Sequence, residues 1–139
     1  MVHRHEIRVR YGETDQMGVV HHSVYALYFE EARTEFMRAA GLPYAELERR
    51  GVFLPVVGLG VRFRSGPSYD AILVVESRLT ELGRVRMRID YRATDRETGA
   101  PVAEGHTVHA CTDATMRPRR IPEEYLDQFR AVLHGGNGE

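Results

Sequence analysis

Apolar and polar positions along this chain change period twice, and those changes mark out its elements. From His3 to Arg10 the residues alternate, with His5, Ile7 and Val9 on one side, which predicts a strand. The next stretch, Tyr11 to Gly18, is polar and holds two glycines, so it reads as a loop. From about Ser23 the period lengthens: Tyr25, Tyr28, Phe29, Ala32, Phe36, Ala39 and Ala40 recur at i, i+3 and i+4, as one face of a helix requires. Ser23 is the expected N-cap and Gly41 the expected stop. Leu42-Pro43 then opens a short second helix through Arg50, with Gly51 beyond its end.

After Gly51 the pattern is strand-like. Val56 to Arg64, Ile72 to Leu82, Arg84 to Thr94 and Val102 to Thr112 are each rich in β-formers and bounded by turn residues. The third is the clearest. Val85, Met87, Ile89, Tyr91 and Ala93 face one way and Arg84, Arg86, Arg88, Asp90 and Arg92 the other, so one face is buried and one wet. Asp95 to Gly99 is a hairpin loop, and the tail from Gly135 to Glu139 is expected to be disordered. With strands segregated from helices the class is α+β. The broad aromatic face of the long helix needs a curved antiparallel sheet to cover it, which is the hotdog architecture, in a single domain over 1–134.

Composition narrows the setting. At 139 residues there is room for one core. No run of eighteen apolar residues is present, so no membrane span is expected, and the N-terminus lacks the apolar stretch of a signal peptide. A single cysteine, Cys111, excludes an internal disulfide and suits a reducing, cytoplasmic setting; in a late strand it reads as a buried inert thiol. The net charge of −1 argues against a nucleic-acid partner. All nineteen basic residues are Arg, whose planar guanidinium forms bidentate contacts with phosphate.

The chemistry concentrates between Asp15 and Tyr25. There an acidic side chain in a glycine-containing loop leads into the start of a long helix, where unpaired N–H groups and the helix dipole favour negative charge. Such groups polarise a carbonyl, and a nearby carboxylate can activate water or attack that carbonyl itself. By itself the arrangement also fits an ordinary cap.

The run from Tyr11 to Tyr25, YGETDQMGVVHHSVY, resembles the signature of the 4-hydroxybenzoyl-CoA thioesterase family of hotdog proteins. In that family a Tyr-x-Asp-x-Asp-x-x-Gly-Val-Val-x-His-x-x-Tyr run precedes the central helix. The similarity continues through Tyr28 to Arg33, and more loosely through Gly66 to Asp70 and Arg117 to Pro122. It also resembles the bacterial acyl-CoA thioesterases associated with the Tol-Pal envelope system. The resemblance implies hydrolysis of acyl-CoA with no cofactor beyond the coenzyme A of the substrate. It implies Asp15 as the catalytic carboxylate, base or nucleophile, and Glu13, where the family more often has Asp, as a supporting residue. It also implies His22, whose N–H meets the thioester carbonyl, and Tyr25 beside the acyl group. Assembly as a homodimer or homotetramer with sites at the dimer interface follows from the same family.

Arg84, Arg117, Arg119 and Arg120 are candidate clamps for the phosphates of coenzyme A, the alternative being a solvated charged face. His21 and His22 with Asp15 and Glu30 lack the i, i+4 spacing of a zinc motif, and His106 and His109 are expected at a strand surface; no metal site is expected. Two other functions fit the fold: a hotdog hydratase or dehydratase, and a non-catalytic acyl-CoA-binding protein. The acidic residue at position 15 argues against the latter. Acyl preference, and coenzyme A against carrier protein, are not legible.

Overall fold

A computed structural model describes residues 1–135. Five strands form one antiparallel sheet: β1 (His3–Arg8), β2 (Val56–Phe63), β3 (Ile72–Leu82), β4 (Arg86–Asp95) and β5 (Pro101–Ala110), in the spatial order β1-β3-β4-β5-β2. Three helices accompany it: α1 (Tyr25–Ala39), α2 (Tyr44–Arg49) and α3 (Glu123–Val132). Among the described residues no helix is long and apolar enough to cross a membrane.

Helix α1 lies on the sheet through the face its periodicity marks. Tyr25, Tyr28, Phe29, Ala32 and Phe36 are buried, and the Phe29 ring stacks on Tyr91 of β4 with centroids 4.5 Å apart. The contact is close because Gly105 of β5 has no side chain. A Cβ there would stand 2.5 Å from the Phe29 ring and 2.5 Å from the Gly60 carbonyl oxygen of β2. On β4, Met87, Ile89, Tyr91 and Ala93 point inward as their alternation dictates.

Several boundaries differ from the sequence reading. Ala39 is exposed, and Arg33 and Met37 are buried instead, so the buried face turns further round α1 than the apolar positions alone indicate. Ser23 is not the cap of α1. A 3₁₀ turn, His22–Val24, precedes the helix, Val24 occupies the N-cap position, and the side chain doing the capping belongs to His21. Strand β1 ends at Arg8, because Arg10 is already committed to the next turn. Helix α2 begins at Tyr44, with Pro43 as its N-cap. Val85 is exposed in the β3–β4 turn rather than facing inward, and Cys111 and Thr112 lie past the end of β5. Cys111 is buried, and that burial pushes its thiol up from the ordinary range. Helix α3 was not anticipated. It buries Tyr125, Leu126 and Phe129, and the chain after it pairs Leu133 with Leu79 of β3. The expected tail from 135 falls, beyond Gly135, outside the described residues.

The largest correction concerns His109. It is fully buried, not at a strand surface, and ends a chain of hydrogen bonds through the core. Arg33 Nη1 donates to Tyr91 Oη (3.3 Å), Tyr91 pairs with Thr107 Oγ1 (2.7 Å), Thr107 with His109 Nε2 (2.8 Å), and His109 Nδ1 with the Leu54 carbonyl (2.9 Å). Guanidinium can only donate and a carbonyl can only accept, so both ends fix the direction. His109 is therefore neutral with its proton on Nδ1. Burial accordingly holds its pKa down at about 4.

Candidate active site

The motif loop is built by short-range bonds before it meets the helix. After β1 the chain makes a single 3₁₀ turn, Tyr11–Glu13, in which Glu13 Oε1 accepts the Arg10 N–H at 2.8 Å. The same oxygen accepts the Tyr28 hydroxyl at 2.8 Å, which ties the turn to the first half of α1. Burial and this bond together push the Tyr28 hydroxyl far above its ordinary pKa, so it remains a donor. Glu13 thus holds the loop against the helix.

Asp15 follows in a tight loop. Its N–H donates to the Val19 carbonyl (2.9 Å), its carbonyl accepts the Gly18 N–H (2.9 Å), and its Oδ1 accepts the Met17 N–H (2.8 Å). Gly18 closes this loop at φ +80°, a conformation that costs a glycine little. Val19 bridges to Ser68, and the Val20 N–H donates to the Pro67 carbonyl at 3.0 Å. The segment joining β2 to β3 is thereby stitched to the motif loop, and Phe63 to Gly66 become the facing wall.

Between these walls lies a cavity of about 360 Å³. Asp15, His22 and Tyr25 line one side, and Phe63, Arg64, Ser65 and Gly66 the other. Tyr25 is buried and meets Phe63 edge-on with centroids 5.3 Å apart. Burial also raises the Tyr25 pKa, so its ring acts as a neutral wall. His22 opens the turn that runs directly into α1, and its N–H has no acceptor among the described residues, as the first donor of a helical segment should. Arg64 supplies the cavity's cation, with Nη2 and Nε 2.8 and 3.1 Å from Glu104 Oε1. Larger recesses exist on the outer sheet face around Arg88, Asp90 and His106 and beside Tyr69, but neither contains Asp15 or His22.

Three of the residues singled out from sequence, Asp15, His22 and Tyr25, are therefore brought together. The four arginines are not brought to them within one chain. Arg84 sits in the turn after β3, and the eleven residues of β3 set it roughly 33 Å from the Ser68 end. Its carbonyl accepts the Ile121 N–H, which places Arg117, Arg119 and Arg120 at that same distant end. Arg119 is already engaged, donating from Nη1 to the Gly51 carbonyl at 3.0 Å. Phe63 and Arg64 were not anticipated as site residues. The alternation of β2 gave no sign of them, because their position depends on a contact between segments more than forty residues apart.

Comparison with known proteins bears on the fold and the family. A protein of Thermus thermophilus described as hypothetical superposes with a TM-score of 0.89 at 45% identity, covering 95% of this chain and 98% of that one. A DHNA-CoA thioesterase from Staphylococcus aureus gives 0.88 at 29% identity, covering 94% and 90%. A 1,4-dihydroxy-2-naphthoyl-CoA hydrolase of Synechococcus elongatus is 31% identical over 122 residues, 86% of this chain and 88% of its own length. Residues 9–129 match the model of the thioesterase-like superfamily, and with the hotdog sheet and helix in place the chain belongs to that superfamily.

Proposed function

We propose that this protein hydrolyses acyl-CoA thioesters to the free acid and coenzyme A, with Asp15 as base or nucleophile. The chain is a thioester hydrolase by family, and relatives named for acyl-CoA and 1,4-dihydroxy-2-naphthoyl-CoA hydrolysis support coenzyme A as the carrier. The observation that carries the reading is the shared cavity. Asp15 and His22, the residue that opens the 3₁₀ turn leading into α1, line the same small space beside an aromatic wall.

In this reading the thioester carbonyl accepts the His22 N–H, which stabilises the oxyanion as it forms. Either Asp15 takes a proton from water while the hydroxide oxygen bonds to the carbonyl carbon, or its carboxylate bonds to that carbon directly. The C–S bond then breaks, and the sulfur leaves as thiolate and takes up a proton. The second route leaves a mixed anhydride on Asp15, which water hydrolyses. Tyr25 and Phe63 flank the acyl group. No cofactor is required, because coenzyme A arrives with the substrate. Cys111 takes no part, and a reducing, cytoplasmic setting keeps it a thiol.

The distant arginines can serve this site only across an interface. Val57, Leu59 and Phe63 are each about half exposed on β2, an edge strand whose outer hydrogen-bonding side has no neighbouring strand among the described residues. A second copy pairing along β2 would cover them. Such a homodimer, or a tetramer of two, places sites at the interface and lets the partner's arginines reach the phosphates.

The test is thiol release from a panel of short, long, aromatic and hydroxylated acyl-CoAs, with enoyl and 3-hydroxyacyl substrates as the hydratase control. Wild type should release thiol, and Asp15→Asn should lose about 10²- to 10⁴-fold in kcat while staying folded. Near-wild-type turnover by Asp15→Asn would sink the assignment. Single-turnover hydrolysis in ¹⁸O water separates the routes, since label in Asp15 marks the covalent one.

A further inference from the structure

We propose that His21 is a positioning residue, whose imidazole sorts the N–H donors of the turn before α1 so that the His22 N–H is left for the substrate. This rests on the thioesterase reading above.

A turn that opens a helix presents several N–H groups without internal acceptors, and the capping side chain decides which of them are used up. Here His21 is the cap, with φ −64° and ψ 140°. Its Nδ1 accepts the Ser23 N–H at 3.1 Å and lies 2.8 Å from Ser23 Oγ. Its carbonyl accepts the Val24 N–H at 3.0 Å. Two of the three donors of the turn are thus taken by His21 itself, and the remaining one is that of His22. The cap is in turn anchored, because the His21 N–H donates to the Glu13 carbonyl at 2.9 Å, and Glu13 is held by Tyr28.

The His21 ring also packs on the His22 ring, with centroids 4.1 Å apart and an interplanar angle of 31°. His22 lines the cavity and His21 does not, so His21 acts through its neighbour. An acceptor at Nδ1 requires the ring proton on Nε2. The groups facing this ring are the His22 imidazole, the Ser23 hydroxyl and the Glu13 backbone, with the Asp15 carboxylate in the adjoining cavity. Asparagine offers a cap acceptor in place of Nδ1.

The experiment compares wild type, His21→Ala and His21→Asn in the thiol-release assay on an acyl-CoA that wild type hydrolyses. His21→Ala should lower kcat by about tenfold to a hundredfold with KM within about twofold, as misplacement of an oxyanion donor does. His21→Asn should restore kcat to within about threefold. A His21→Ala kcat within twofold of wild type, a change confined to KM, or an Asn variant as slow as the Ala variant would overturn the inference. Nitrogen-15 spectra of the wild-type imidazoles give a readout independent of variant folding. They should show His21 protonated on Nε2 and unprotonated on Nδ1 at neutral pH, and the opposite tautomer would overturn it too. Wild-type protein that releases no thiol from any substrate would instead remove the hydrolase reading, and this inference with it.

Discussion

Asp15 Oδ1 accepts the Met17 N–H, so the side chain proposed for chemistry also shapes its own loop. Asparagine keeps that acceptor and alanine does not. Asp15→Asn and Asp15→Ala should therefore be equally slow but differ in stability. The alanine variant should be less stable by about 1 kcal/mol, the usual worth of such a bond, measured by urea unfolding. Equal stability would mean that the loop is held by its backbone bonds alone. At this scale the sequence was informative where residue type and spacing carried the message. Asp15, His22 and Tyr25 stood out because their motif is contiguous. Phe63 and Arg64 did not, since nothing local to β2 says that the segment after it will press on Val19.

Between elements, two features tie α1, β4, β5 and β2 together. The first is the close approach at Gly105. Gly105→Ala sets a Cβ 2.5 Å from the Gly60 carbonyl, so two strands must separate, at a cost of about 3 kcal/mol. Gly60→Ala meets the His106 ring at 2.5 Å, which can swing away, and should cost under about 1 kcal/mol. Denaturant melts of the two variants check that order. The second is the chain from Arg33 to His109. Its folded pKa of about 4 lies below the ordinary 6.5, so between those values the unfolded chain binds a proton that the folded one does not. Stability from this group is complete above about pH 6.5 and falls as pH drops towards 4, by roughly 3 kcal/mol in all. Unfolding at pH 7.5 and 4.5 should show that loss in wild type and a smaller one in His109→Gln. On β5 the buried positions Ala103, Thr107 and His109 share one parity, although His109 was expected at a strand surface. What reversed that expectation was the partner at each ring nitrogen.

For the whole molecule, the uncovered row on β2 makes association the main open property. Leu59→Asp places a charge in the middle of that row without touching Asp15 or His22. Light scattering should give a multiple of the single-chain mass for wild type and a shift towards one chain for Leu59→Asp. Thiol release should fall at least about tenfold with it, since the partner's arginines would be lost. A monomeric wild type with full activity would remove the interface from the mechanism. If Arg84 or Arg120 acts across that interface, its alanine variant should mainly raise KM.

Periodicity, β-rich runs and turn or capping residues by themselves determined the five strands, the first two helices and the α+β class, because each of these signals is local to its element. The contiguous motif determined where the chemistry starts. Helix α3, the burial of His109 and the facing wall of Phe63 and Arg64 were decided only by tertiary structure. Each depends on which distant segment arrives to satisfy a face or a polar atom, and that pairing has no period to read. The same holds for the start of α1. The sequence offered Ser23 as its cap, and the folded chain uses His21, because the Glu13 carbonyl holds that residue where its imidazole meets the Ser23 N–H.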